Sequence, residues 1–270
     1  MKTLSLQSGV DVQGIFDGGL ALLPAIAESQ ALMNHAKDIA EDNFQLPIED
    51  IHTTSLQDFV RITTLCKSTF TNDSVTKQLM TNLLRARYGD RLLSILAYDV
   101  PRLRIIPNSS FLSAGVSYNY KPHRDTWYGG QQNMINHWMP VCHVNRESTF
   151  YIAPTFYHKK VSNSSEQFDL DEWDKRYRPM ATVNIRREDR PHPIPLTEIS
   201  DDEKYYIVIP NGSEMVFSGH HIHGSGENTT NNVRFSVDYR VAIEHEDYIA
   251  PNNIDSKASG NYSNYMISPS

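Results

Sequence analysis

Two cysteines in 270 residues, Cys66 and Cys142, are too few and too far apart for a disulfide framework or a thiolate metal site. They read as free thiols of a reducing compartment. Met1 to Gly9 contains one lysine and no apolar stretch, so no secretory signal is legible and a cytoplasmic location is expected. No run of 18 apolar residues exists, which excludes a helical membrane span. Basic residues are scattered in a chain of net charge −7. The densest cluster, Arg186-Arg187-Glu188-Asp189-Arg190, is interleaved with acids and reads as a solvated loop. Nucleic acid and acidic membrane surfaces are therefore not expected partners.

What is present suits one large β domain with added helices. Hydrophobic residues make up 39% and aromatics 10%, enough for a sizeable core. Residues 1–100 read as a mostly helical scaffold that could offer a homodimer surface. Pro24 suits a helix start, followed by Ile26, Leu32, Met33, Ala36, Ile39 and Ala40 at helical spacing. Ser55-Leu56-Gln57-Asp58 resembles a capping box ahead of Phe59, Ile62, Leu65 and Cys66. Asp73 to Tyr88 is a third helix, with Gly89 as its stop. From residue 101 to 245 the texture is that of short strands and turns, as in a sandwich or barrel. Residues 159–204 interrupt it with a polar insertion, expected near the mouth as a lid. Residues 246–270 read as a poorly ordered tail or an arm.

Chemistry concentrates at His123-Arg124-Asp125. On a strand, residues two apart leave the same face, and Tyr118-Asn119-Tyr120-Lys121-Pro122 reads as a strand running into this tripeptide. One further ligand would complete two imidazoles and a carboxylate on one side of a metal. That is the facial triad of non-haem Fe(II) oxygenases, which leaves coordination positions open. His223 stands 98 residues beyond Asp125, in His223-Gly224-Ser225-Gly226-Glu227-Asn228. Arg234 follows eleven residues later in a strand-like run, whose alternation puts Arg234, Ser236, Asp238 and Arg240 on one face. A charged face of that kind suits a polar pocket.

His-x-Asp, then His-Gly-Ser-Gly-x-Asn, then arginine eleven after the distal histidine, resembles the phytanoyl-CoA dioxygenase family over about residues 100–245. The resemblance implies a mainly β fold with flanking helices, built on a double-stranded β-helix (jelly-roll, cupin-like) core. It implies an Fe(II)- and 2-oxoglutarate-dependent oxygenase that uses O2. It implies His123, Asp125 and His223 as iron ligands, Arg234 as the partner of the 2-oxoglutarate C5 carboxylate, and Ser225 as its helper. Arginine suits that carboxylate because its planar fork binds bidentately and keeps its charge. His221 shares the strand parity of His223 and competes with it, but the family pattern fits His223. A carboxylate at position 125 favours hydroxylation, cyclisation or desaturation over halogenation. Pro154-Thr155-Phe156-Tyr157-His158 departs from the family's Pro-Gly-Ser-His turn.

The substrate expected is a small polar metabolite or natural-product intermediate. Arg104, Lys121, Trp127, Tyr128, Trp138, Trp173 and Arg178 are candidate contacts. Two other classes stay open: a cupin-like metal-dependent isomerase or lyase, which would not need Arg234, and a non-catalytic metabolite-binding jelly roll, which would not need the three metal ligands together.

Overall fold

The structure is a computed structural model that describes residues 5–6, 9–183 and 187–269. In chain order its strands are β1 (Ser5–Leu6), β2 (Leu20–Leu23), β3 (Leu96–Asp99), β4 (Arg102–Ile106), β5 (Met134–Pro140), β6 (Phe150–Ala153), β7 (Tyr205–Tyr206), β8 (Glu214–Ser218), β9 (Ile222–Ser225), β10 (Arg234–Ile243) and β11 (Met266–Ile267). The helices are α1 (Val12–Phe16), α2 (Ala27–Phe44), α3 (Leu56–Asn72), α4 (Ser74–Leu93) and the one-turn α5 (Leu170–Glu172). Among the described residues no helix is long and apolar enough to cross a membrane.

A large, mostly antiparallel sheet runs β1-β2-β8-β5-β10-β3-β11, with β4 pairing the first half of β10. A small sheet, β7-β6-β9, packs across it. Trp138, Met215 and Phe217 of the large sheet share an apolar cluster with Phe150 and Ile152 of the small one. This is the expected mainly β fold with flanking helices, the jelly-roll core of its class. The strands of β10 explain the architecture. Phe235, Val237 and Val241 join the main core beneath the helices, while Arg234, Ser236, Asp238 and Arg240 take the opposite face toward a cavity.

The helices form for the reasons their sequences suggest, with local shifts. Ser55 caps α3 by accepting from the Asp58 amide, and Phe59, Ile62, Cys66 and Phe70 make its buried stripe. Asp73 caps α4 by accepting from the Thr76 amide. Gly89 breaks the helical geometry at φ 72°, a left-handed value that favours glycine. Pro24 does not start α2. That helix begins at Ala27, where the Ser29 hydroxyl accepts from the Ile26 amide, and the Pro24 carbonyl accepts from Arg87 instead.

Three further readings need correction, and the choice between a disordered tail and an arm is decided. The first 100 residues are not only helical scaffold, because β2 pairs β8 and β3 pairs β10 in the large sheet. Their partners lie more than a hundred residues away, so local pattern does not reveal them. Tyr118 to Pro122 forms no strand; His123 makes an isolated bridge to His223, and Asp125 opens a 3-10 turn that ends at Tyr128. Arg190, placed in a solvated run, is buried and chelated by Glu188. The tail packs as an arm: Asp255 accepts from Trp127 and the Val161 amide and pairs with Arg124, Tyr262 is buried, and β11 joins β3.

One buried network ties α4 to the sheet. Arg87 lies 2.7 Å from Glu214, which also accepts from Tyr239 at 2.6 Å and from His137 Nδ1 at 3.0 Å. Tyr88 donates to His137 Nε2 at 2.7 Å. Burial alone would raise the Glu214 carboxyl, but the His137 hydrogen bond, the Arg87 charge and the Tyr239 hydrogen bond outweigh it and hold it at about 2. The folded value is depressed, so the network's stabilisation is full above the ordinary 4.5 and is lost as pH falls toward about 2. Glu214→Ala leaves Arg87 without this carboxylate in the core and is expected to cost about 3–5 kcal/mol in urea unfolding at pH 7. A loss below about 1 kcal/mol would show that the network is dispensable.

Candidate active site

The two histidines meet because they face each other across the bridge. Each donates its amide to the other's carbonyl at 2.9 Å, and the ring centroids are 4.4 Å apart. Each ring is oriented by the carbonyl two residues before it: His123 Nδ1 bonds the Lys121 carbonyl at 2.7 Å, and His223 Nδ1 bonds the His221 carbonyl at 3.0 Å. A carbonyl can only accept, so both Nδ1 atoms carry hydrogen and both Nε2 lone pairs are free for a metal. Asp125 is brought alongside by its backbone N–H, which donates to the Gly219 carbonyl at 3.0 Å. Its Oδ1 lies 3.6 Å from His123 Nε2 and 3.9 Å from His223 Nε2. The ligand atoms of His123, Asp125 and His223 all fall within 4.8 Å of one another. Burial first, then the neighbouring His123, pushes His223 down to about 3, so the ring is neutral at pH 7, as ligation requires.

Arg240 and Asn136 hold the carboxylate. Arg240 Nε donates to Asp125 Oδ2 at 3.0 Å and Nη2 to Oδ1 at 3.2 Å, while the Asn136 amide donates to Oδ2 at 2.6 Å. Burial raises the Asp125 carboxyl, but the charge and paired hydrogen bonds of Arg240 more than offset it, and the group sits well below the carboxylate range. Sequence patterning placed Arg240 only on a polar strand face; its register opposite Asn136 on β5 is what aims both at Asp125. Arg240→Ala is expected to weaken Fe(II) affinity by about 10–100-fold, because outer partners of metal ligands command that much. Anaerobic iron titration measures it, and unchanged affinity would deny Arg240 this role.

The cavity beside the triad has a volume of about 450 Å³, within the range of small-molecule sites. Arg234 is buried in its wall, donating from Nη1 to the Ser148 carbonyl at 2.8 Å and from Nη2 to Ser225 Oγ at 3.3 Å. Its Nε and the hydroxyl of Ser236 are buried with no hydrogen-bond partner. Burial lowers the guanidinium to about 10, still fully charged at pH 7. An orphaned donor on an uncompensated cation is what a bound carboxylate would satisfy. The residues present thus fit both iron and 2-oxoglutarate.

The remaining candidates divide. Arg104, Tyr128, Trp138, Trp173, Arg178 and Ser225 line the cavity. Lys121 does not: its side chain is exposed, and its contribution is the carbonyl that fixes His123. Trp127 does not either. The 3-10 turn rotates it away from Tyr128 into full burial, where its indole N–H donates to Asp255 at 2.7 Å. His221 lies off the triad with its ring tilted against Tyr157, centroids 4.4 Å apart. Sequence reading missed Tyr118, Tyr120, Arg190 and Lys67 as wall residues. It also missed His192, which stacks on Tyr118 at 4.1 Å and meets the Tyr128 hydroxyl at 3.0 Å. The insertion supplies Phe168, Leu170, Trp173, Arg178 and Arg190 to the wall, so it lies beside the triad rather than apart from it.

Two imidazoles and one carboxylate with open space beside them are the ligand set that non-haem iron oxygenases use. The family model described as phytanoyl-CoA dioxygenase matches residues 17–236, and the chain belongs to that family. It is an enzyme that uses Fe(II), 2-oxoglutarate and O2, with His123, Asp125 and His223 as its metal triad. The match begins far upstream of residue 100, so the helical region is part of the family domain. No curated protein sequence matches the chain. Among solved structures it is similar to EvdO2 from Micromonospora carbonacea var. aurantiaca complexed with 2-oxoglutarate, at 12% identity, covering 93% of this chain and 97% of that one, TM-score 0.46. It is also similar to the α-ketoglutarate-dependent epimerase SnoN from nogalamycin biosynthesis, at 13% identity, 86% and 80% coverage, TM-score 0.41. A third is the non-haem monooxygenase ThoJ with nickel, at 12% identity, 93% and 87% coverage, TM-score 0.44.

Proposed function

We propose that the enzyme oxidises an unactivated C–H bond of a small metabolite or natural-product intermediate, hydroxylating it or closing or desaturating a ring, with release of succinate and CO2. The observation that carries this reading is the unpartnered Nε of Arg234 in the cavity wall beside a triad that keeps its carboxylate. Arg234 would hold the C5 carboxylate of 2-oxoglutarate, with the Ser225 hydroxyl as the second contact. When bound, the iron and 2-oxoglutarate supply the oxidising equivalent; the protein supplies position. Asp125 occupies the place that a halide would need, which argues against halogenation. Arg240 and Asn136 keep that carboxylate ionised and aimed. Tyr128, Trp138 and Trp173 give the cavity apolar walls that would exclude water and orient a substrate. The need for Arg234 disfavours an isomerase or lyase that uses no 2-oxoglutarate.

The test is succinate release. Purified enzyme with Fe(II), 2-oxoglutarate and O2 should form succinate slowly alone and faster with members of a metabolite library, by at least about tenfold for a true substrate. The oxidised product should appear in step with succinate. Iron-independent turnover, or no succinate under any condition, would overturn the reading.

A further inference from the structure

Arg240 is fixed along both of its edges. Nε and Nη2 hold Asp125, while Nη1 donates the other way, to Asp99 Oδ2 at 3.2 Å and to the Tyr262 hydroxyl at 3.4 Å. Asp99 is fully buried and also accepts from the Arg240 amide at 2.7 Å. Tyr262 belongs to the C-terminal arm. Its hydroxyl donates to Asp99 at 2.8 Å and accepts from Arg102 at 3.0 Å as well as from Arg240. A phenol offers one hydrogen and two acceptor positions, and all of them are used here. Local sequence and packing bring it to this place. Asn261 caps the 3-10 turn Tyr262–Tyr265 by accepting from the Ser263 amide at 2.9 Å. The Tyr262 ring packs with Met134, Phe168 and Leu170, and β11 sets Met266 opposite Asp99.

A second tie grips the other side of Asp125. Asp255 accepts from Trp127 and pairs with Arg124, and the Ser256 hydroxyl donates to the Thr126 carbonyl at 2.5 Å. The arm thus holds Arg124, Thr126 and Trp127, the neighbours of Asp125 along the chain. It lies beyond the residues that the family model matches.

We propose that Tyr262 is a positioning residue of the iron site: by fixing Arg240 it fixes which way Asp125 faces, so that the arm sets the geometry of the metal carboxylate. This rests on the metal triad and not on which bond the enzyme oxidises. Asp125 Oδ2 accepts from both Arg240 and Asn136, while Oδ1 faces the two imidazoles. That division lasts only while the guanidinium keeps its place. Without the Tyr262 hydroxyl, the far edge of Arg240 leans on Asp99 alone, an oxygen that Arg102 also claims at 2.6 Å. The guanidinium can then swing, and Asp125 with it.

Anaerobic Fe(II) titration of the full chain tests this as a double-mutant cycle with Arg240→Ala. Tyr262→Phe deletes the hydroxyl and keeps the buried ring. It should weaken Fe(II) binding by about three- to tenfold, less than a direct partner of a ligand commands. In the Arg240→Ala background the same change should add nothing, because residues that act through one network are not additive. Co(II)-loaded protein reads the ligand geometry through its visible absorption bands. These should differ from wild type in Tyr262→Phe and match it in Tyr265→Phe, a hydroxyl deletion in the same turn. Unchanged Fe(II) affinity or unchanged Co(II) bands in Tyr262→Phe overturns the proposal. So does an equal loss of affinity in the Arg240→Ala background or in Tyr265→Phe, since either would mean a general loosening of the arm. A wild-type chain that binds neither metal overturns the triad itself.

Discussion

Replacing His223 with alanine is expected to leave a folded protein that no longer retains iron. The bridge between His123 and His223 is made by backbone groups, so truncating the side chain spares it. The ligand set falls from three to two, with one imidazole and a carboxylate already engaged by Arg240. The loss in Fe(II) affinity should exceed about 100-fold, above the range commanded by outer partners of a ligand. Succinate formation should fall with it. His221→Ala is the matched control: its ring is off the triad, and the variant should keep one iron per chain. Anaerobic titration followed by metal analysis reads both. Full iron occupancy in His223→Ala, or its loss in His221→Ala, would reverse the ligand assignment.

Arg234→Ala is expected to separate co-substrate binding from metal binding. Removing one partner of a buried charge pair costs about 2–5 kcal/mol, which is a loss of at least about thirtyfold in 2-oxoglutarate affinity. Iron affinity should stay near wild type, because Arg234 bonds Ser148 and Ser225 rather than any triad residue. Arg234→Lys keeps charge but loses the fork and should fall between the two. Anaerobic calorimetry with 2-oxoglutarate on the iron-loaded protein measures the series. Equal affinity in wild type and Arg234→Ala would move the co-substrate to another cation of the wall.

The functional residues were legible to different depths. His123, Asp125, His223 and Arg234 stand out because their residue types suit metal and carboxylate chemistry and their spacing matches the pattern of the phytanoyl-CoA dioxygenase family, which is legible in one dimension. The geometric reason first suggested for His123 and Asp125 was nonetheless wrong. They converge through a bridge followed by a 3-10 turn, and that same turn sends Tyr128 to the cavity and Trp127 to the tail. Residue type alone selected both aromatics as substrate contacts; backbone rotation sorted them. Arg190 shows the same limit. In sequence it belongs to a mixed-charge run that should be solvated, yet chelation by Glu188 lets it be buried against the cavity.

By itself the sequence determined the caps of α3 and α4, the alternation of β10, the candidate triad and, through the family resemblance, the arginine proposed for the co-substrate. Each is encoded by neighbours or by a fixed spacing along the chain. Only the tertiary structure decided which groups those residues meet. Strands β2 and β3 join a sheet whose other members lie far off in sequence, Asp255 reaches back to clamp the loop of His123 and Asp125, and Arg240 finds Asp125 across 115 residues. Lys67 turns from an ordinary helix position into part of the cavity wall. Pairings of this kind depend on strand register and chain return, which are set by burial of the whole core and leave no local mark.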